Sequence, residues 1–366
     1  MIKLRPKFRR NLLQVIPFGI IWLINGWAFL WSEYAVLGDQ SDAVEVAIKI
    51  TPYIAVFASI SIFITGCLVG VLEVAFMYRF FVNGSFPQKI IGKFLLYGVL
   101  FFALIFIFYV LATSIETKTS LFSASVLDQF TNFFFSFTYI TIGLQLGFSL
   151  IVSLIYAEIS DNLGQNVFLN FFTGKYHKPV VEQRIFMFTD MKSSTEFAEQ
   201  LGHITYFDFL KDYYNDLSDA IIENYGEVYQ YIGDEIVISW DLNKKNAVRN
   251  SINCFYAMEK DLLKKKDWYL KKYDVYPDFK GALHLGEVTT GEIGALKKEI
   301  FFTGDVLNTT ARIQGLCNQY PTDLLISQDF LDKLEYKDDF EINHIGRVPL
   351  KGKNESKELY TVLKKT

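Results

Sequence analysis

The sequence predicts two halves of different class: an α-helical domain of four transmembrane spans, then a soluble domain in which short strands alternate with helices. Three observations carry this reading. The 366 residues are 51% hydrophobic and 17% aromatic, with 35 Phe, and mean hydropathy is +0.20. That excess is uneven: nearly all of it precedes about residue 157, and most of the charge follows about residue 175. Beyond residue 183, apolar runs of strand length lie between turn residues and amphipathic stretches. The resulting boundaries are a helical domain over 1–157, a juxtamembrane linker over 158–182 and a soluble domain over 183–366.

Four apolar stretches reach the roughly 20 residues needed to cross a bilayer: 12–31, 52–76, 90–112 and 130–156. The first has too long an apolar core for a cleavable signal peptide and lacks a small-x-small cleavage site. Lys and Arg placement sets the expected orientation. Lys3, Arg5, Lys7, Arg9 and Arg10 precede the first span, and Arg79, Lys89 and Lys93 follow the second, whereas the other two loops hold few basic residues. The chain is therefore expected to be a multi-pass protein of the inner (plasma) membrane, in contact with membrane lipid, with its N-terminus and soluble half cytoplasmic. Glu73, near the end of the second span, is either a functional intramembrane carboxylate or one close enough to the interface to reach water or Arg79. Gly66 and Gly70 are spaced to let helices approach closely. Four spans with few polar residues offer no obvious transport path.

The joint over 158–182 is punctuated by Gly164, Gly174 and Pro179. It reads as a short amphipathic segment at the membrane surface, a turn, and the lead-in to the soluble domain, or as a plain linker. The net charge of −4 gives no reason to expect nucleic-acid binding. Cys67, Cys254 and Cys317 are scattered and read as reduced packing residues. His177, His203, His284 and His344 form no metal-like spacing. The Lys-rich run 254–272 reads as a solvated helix face.

The chemistry concentrates in three places. Residues 184–189 form a buried strand that ends on Asp190 and runs into Met191-Lys-Ser-Ser-Thr195 and a helix. A carboxylate at a strand end suits a hard cation, and the free N–H groups of a first helical turn suit phosphate. Ser193, Ser194 and Thr195 alternatively serve only as caps. The second place is a hairpin over 227–240, turning at Gly233-Asp234. Asp190 and Asp234 on neighbouring strands can together hold two divalent ions against a triphosphate. The third is a helix over 306–316, where Asn308 and Arg312 at i, i+4 share a face. Asp305 is expected as its N-cap.

Phe188-Thr-Asp-Met-Lys-Ser-Ser-Thr195, Gly233-Asp234, Gly304-Asp-Val-Leu-Asn-Thr-Thr-Ala-Arg312 and Leu350-Lys-Gly-Lys353 together resemble the class III adenylyl/guanylyl cyclase catalytic domain, in the manner of bacterial membrane-anchored adenylate cyclases. The 44-residue aspartate spacing is the family's, and the resemblance covers about residues 180–366. It implies an α+β, ferredoxin-like domain that makes a cyclic nucleotide and pyrophosphate from ATP at a homodimer interface. It also implies that Asp190, Asp234 and the Met191 carbonyl hold two Mg²⁺ or Mn²⁺ ions, and that Lys192, Ser193, Ser194 and Thr195 cradle phosphates. Asn308 then orients the ribose, Arg312 stabilises α-phosphoryl charge, and Lys351 contacts the triphosphate.

The base-selecting positions depart from the family. Gln230 stands where a Lys is usual, and Phe301 where Asp or Thr is usual, with Thr303 nearby. Gln230 can donate to and accept from a purine edge. Phe301 cannot, unless Thr303 takes over. ATP is the expected substrate, with a guanylate or pyrimidine nucleotide cyclase, or a catalytically silent membrane receptor, as the alternatives.

Overall fold

A computed structural model describes residues 5–37, 52–77, 85–121, 123–163, 170, 173–335, 337–350 and 356–365. The chain forms two compact units, Arg9–Leu169, and Met1–Phe8 with Asn170–Thr366.

The first unit is helical: α1 (Pro6–Leu37), α2 (Pro52–Leu72), α3 (Phe86–Thr117), α4 (Ala124–Phe134) and α5 (Phe137–Leu163). Among the described residues, four stretches are long and apolar enough to cross a membrane: Pro6–Ser32, Ala58–Met77, Phe86–Leu111 and Tyr139–Asp161. The expected fourth span, 130–156, is displaced toward the C-terminus because the chain breaks at Phe135 and Ser136. There the Ser136 Oγ accepts the Tyr139 N–H at 3.2 Å and so starts α5 afresh. The end of the second span is also altered, since α2 passes at Glu73–Met77 into a π-helical turn. A side chain at Gly66 would meet the Phe18 carbonyl and the Trp22 Cβ at 2.8 Å, so glycine there is what lets α2 lie close against α1.

Glu73 lies inside the helical unit, and Arg79, the partner expected for it, lies outside the described residues. Its carboxylate is buried and paired with the buried Lys93 of α3, and the Tyr97 hydroxyl donates to it at 3.3 Å. A second ion pair, Lys89 with Glu158 at 2.7 Å, ties α3 to α5. Phe18, Trp22, Val69, Tyr97, Leu150 and Leu154 pack between them, and the Trp22 indole donates to the Ser153 hydroxyl at 3.0 Å.

The second unit is built on one eight-stranded sheet. Its strands are β1 (Val180–Met191), β2 (Glu227–Ile232), β3 (Glu235–Asp241), β4 (Phe279–Ile293), β5 (Glu299–Thr303), β6 (Leu324–Ser327), β7 (Phe340–Pro349) and β8 (Ser356–Lys364). The order is β2-β3-β1-β4-β6-β8-β7, with β5 paired to β4. Every pairing is antiparallel except β4 with β6.

Around the sheet lie α6 (Ser194–Glu223), α7 (Ala247–Lys264), α8 (Lys266–Tyr273), α9 (Asp305–Gln314) and α10 (Gln328–Asp332). The central strand β1 is buried on both faces from Arg184 to Thr189. Alternate residues point to opposite faces, so Ile185 and Met187 meet α6, α7 and α8 through Phe209, Phe255 and Tyr269. Phe186 and Phe188 meet Phe302 and Val306 of β5 and α9. Burial of such side chains stabilises by about 1.5–3 kcal/mol each.

The Lys-rich run forms α7 and α8, with Cys254 fully buried beneath it. The three cysteines are free thiols.

Candidate active site

Two carboxylates meet at one end of the sheet. Asp190 ends β1 on the face that carries Phe186 and Phe188, the face turned to α9. Asp234 sits in the tight turn between β2 and β3. The turn bends at Gly233, whose φ of +64° favours glycine, and the Tyr214 hydroxyl holds the Gly233 carbonyl.

The Asp190 side chain stands against Asp234, with Gln314 of α9 within hydrogen-bonding reach. Burial, then the like charge of Asp234, pushes its carboxyl up to about 6. Burial, then Asp190 and Asp234, pushes the adjacent Glu235 up to about 7. The Asp234 Oδ2 is buried without a hydrogen-bond partner.

Two crowded carboxylates with an orphaned oxygen are a poor arrangement for a bare protein and a good one for a hard cation. No group of three or more His, Cys, Asp or Glu side chains gathers at ligating distance among the described residues. The pair therefore fits a divalent ion that draws its remaining oxygens from backbone, water or a phosphate. Met191, expected to lend its carbonyl, is buried and stands opposite Phe279 in the β1–β4 register.

The turn after Asp190 differs in part from expectation. The Lys192 N–H already donates to the Asp278 carbonyl at 2.8 Å. Its ammonium is held by Asp278 at 2.6 Å and Asp323 at 2.7 Å. Lys192 therefore clasps the turn to the loops before β4 and β6. Ser193 takes a left-handed conformation (φ +56°) as N-cap of α6, without a side-chain capping bond. The donors that remain for an anion are those of the first turn of α6, at Ser194, Thr195 and Glu196, which lack intrahelical partners by helix geometry.

The third group of residues lines a pocket of about 240 Å³. Gln230, Phe301, Thr303 and Asn308 all face it, with Phe188 and Tyr229 beside them. The β4–β5 register is unbroken, so Phe301 and Thr303 reach the pocket together as i, i+2 neighbours.

Asn308 and Arg312 lie on α9, one helical turn apart. That helix is N-capped by Gly304, not Asp305. Asp305 is its first residue and accepts from the Thr309 hydroxyl at 3.2 Å. Asp190, Asp234 and Arg312 are not among the residues that line the pocket. Lys351 lies outside the described residues.

Sequence reasoning passed over Tyr229 and Gln314. The β2–β3 register slips between Val228 and Gln230, and the bulge at Tyr229 sets its ring 4.8 Å from that of Phe302. Bulges re-aim side chains near functional sites, but nothing local in the run Glu227–Ile232 announces one. Gln314 was legible only as a position on an amphipathic helix.

The model of the family described as the adenylate and guanylate cyclase catalytic domain matches residues 177–364. The chain is 32% identical over 198 residues to "Adenylate cyclase 2" of Rhizobium meliloti, covering 54% of each chain. It is 29% identical over 180 residues to "Adenylate cyclase" of Anabaena cylindrica, covering 48% of this chain and 36% of that one. The chain thus spans about half, or less, of the length of these curated relatives. Among solved structures, that of a bacterial light-regulated adenylyl cyclase superposes with a TM-score of 0.51 at 18% identity, covering 62% of this chain and 65% of that one, a likeness of fold alone.

Proposed function

The chain belongs to the adenylate and guanylate cyclase catalytic-domain family, and from that membership and the geometry above we propose that it is a membrane-bound adenylate cyclase acting as a homodimer. The observation that carries this is the Asp190–Asp234 pair with its orphaned Asp234 Oδ2, because it is an arrangement that a divalent cation completes. Mg²⁺ or Mn²⁺ bound there, two per site, would ease deprotonation of the ribose 3′-hydroxyl and neutralise the departing pyrophosphate. The ligands are Asp190, Asp234 and the Met191 carbonyl.

The remaining roles belong to the chain's own residues. The first-turn N–H groups of α6, with the side chains of Ser193, Ser194 and Thr195, hold the β- and γ-phosphates at a positive helix end. The adenine enters the pocket of Gln230 and Thr303, with Phe301 as an apolar wall. Asn308 orients the ribose, Arg312 spreads its charge over the α-phosphoryl oxygens, and Lys351 contacts the triphosphate. The 3′-oxygen bonds to the α-phosphorus, the bond to the α–β bridging oxygen breaks, and pyrophosphate leaves.

Family membership, with both the carboxylate set and the Asn308–Arg312 set carried on one chain, supports the dimer. A second copy with its carboxylate pair at the first copy's pocket completes two equal sites. Four helices of membrane-spanning length and composition support an anchor, with both termini on the cytoplasmic side.

The test is to offer ATP, GTP, CTP and UTP separately to the purified full chain with Mn²⁺ and to read the products by mass spectrometry. Cyclic AMP as the dominant product is expected. Another cyclic product would keep the mechanism and replace the substrate. No cyclic product from a confirmed dimer would overturn the enzyme reading.

A further inference from the structure

One face of β1 carries, two residues apart, Arg184, Phe186, Phe188 and Asp190. The last three belong to the site described above. Arg184 is 4% exposed, and its guanidinium makes three side-chain hydrogen bonds. Its Nε donates to the Glu182 Oε2 at 3.1 Å. Its Nη1 donates to the Glu227 Oε2 at 3.1 Å and to the Ser239 Oγ at 3.0 Å. Its plane lies over the Phe302 ring, with the central carbon 4.8 Å from the ring centroid.

Phe302 is part of the pocket wall, between Phe301 and Thr303. It packs edge-on against Phe186 at 5.5 Å and Tyr229 at 4.8 Å, and its N–H donates to the Tyr229 hydroxyl at 3.4 Å.

The other side of Arg184 leads toward the lead-in segment. Glu182 accepts from the Tyr176 hydroxyl at 3.1 Å, pairs with Lys175 at 3.2 Å and accepts from the Thr290 hydroxyl at 3.2 Å. Tyr176 is 2% exposed, and its carbonyl accepts the Glu292 N–H at 3.0 Å.

We propose that Arg184 is a positioning residue for the nucleotide pocket, acting through Phe302, and that Tyr176 latches the chain leaving the helical unit to the same charged hub. A buried guanidinium with three hydrogen-bond acceptors and an aromatic face has one orientation that satisfies all of them. A shift of Tyr176 changes what Glu182 can offer Arg184, and Arg184 then changes where Phe302 stands. The position of the lead-in segment is thereby read out as the shape of the base pocket. This rests on the cyclase reading for what fills the pocket. It adds a specificity-determining support that touches no substrate, set by the segment just before β1.

The experiment compares the full chain with Tyr176→Phe, Arg184→Lys, Phe302→Leu and the double variant Tyr176→Phe with Phe302→Leu. It measures the melting midpoint, KM and kcat for ATP and for GTP, and the Kd of a non-cyclisable ATP analogue by calorimetry. Tyr176→Phe removes one hydroxyl and keeps the ring, so a folded protein is expected even where Arg184→Lys unfolds. The expected result is a KM and analogue Kd raised about tenfold, with kcat changed less and the ATP-to-GTP preference altered. In the double variant the Tyr176→Phe effect should shrink by at least about threefold, because its route runs through Phe302.

A parent chain that binds the analogue but makes no cyclic product would sink the cyclase reading and leave this inference to the Kd values. Folded variants with parental Kd and parental base preference, or strictly multiplicative effects of Tyr176→Phe and Phe302→Leu, would overturn it. So would a parent that binds no nucleotide.

Discussion

The two units bury opposite things. In the helical unit, Ile24, Val99 and Leu144 stand about two-thirds exposed (63%, 69% and 65%), while Glu73 and Lys93 are inside. In the sheet unit Ile185, Phe186, Ile238 and Leu283 are fully buried, and Lys211 and Lys264 lie at the surface.

Under the proposed membrane anchor, the same physics gives both patterns. In water apolar area is hidden. In lipid it costs nothing to expose, and charges gather inside against one another. Each unit also holds a buried charge cluster of interest, and the two differ in kind. Glu73 meets one cation and one hydroxyl, whereas Arg184 meets two carboxylates, a hydroxyl and a ring. The first cluster joins two helices, and the second joins a lead-in segment to a pocket.

The largest expected effect falls on the helical cluster. Lys93→Met alone strands a buried carboxylate and should cost about 3–5 kcal/mol, read as a fall in the unfolding midpoint of the detergent-solubilised chain. Adding Glu73→Leu should recover most of that loss. A double variant as unstable as the single would show that the pair contributes more than mutual compensation.

Next come the catalytic positions of the sheet unit. Asn308→Ala and Arg312→Ala should each lower the rate of cyclic-product formation roughly a hundred- to a thousandfold, with unfolding midpoints unchanged. Asp190→Asn should abolish product and, by relieving like-charge crowding with Asp234, leave the metal-free protein as stable or more so. A destabilised Asp190→Asn would contradict the assignment of strain to function.

The third effect is ligand linkage. Mn²⁺ at a hundred times its Kd should add about 2.7 kcal/mol of stability, and Asp234→Asn should remove that gain. An equal gain in the variant would place the cation elsewhere. The smallest expected effect is Gly233→Ala, at about 1 kcal/mol for forcing a side chain into a left-handed turn. Its larger cost should fall on metal affinity, because the turn aims Asp234.

Much of this was legible in the residues. Four apolar runs, a strand ending on Asp190, a Gly233-Asp234 hairpin and the i, i+4 spacing of Asn308 and Arg312 are local patterns, and local patterns survive folding when nothing opposes them. The misread features are those that depend on distant partners. The fourth span begins late because the Ser136 hydroxyl restarts the helix. Glu73 turns inward because Lys93, on a different helix, is there to receive it. The Lys192 backbone N–H, expected to face phosphate, donates to the Asp278 carbonyl, and its ammonium pairs with Asp278 and Asp323 far along the chain.

By itself the sequence determined which residue types stand at the ends of which elements, and hence the chemistry on offer: two carboxylates, an amide and a guanidinium. It also determined the split into an apolar and a mixed half, since hydropathy and period are properties of neighbours in the chain. Only the tertiary structure decided the rest. It set the Arg184 guanidinium over the Phe302 ring and left the Asp234 Oδ2 without a partner. It also gathered Gln230, Thr303 and Asn308 around one pocket. Those facts depend on strand register and on which side chain reaches a shared partner first. Register is set by packing across the whole sheet, where a one-residue slip would turn every side chain to the other face.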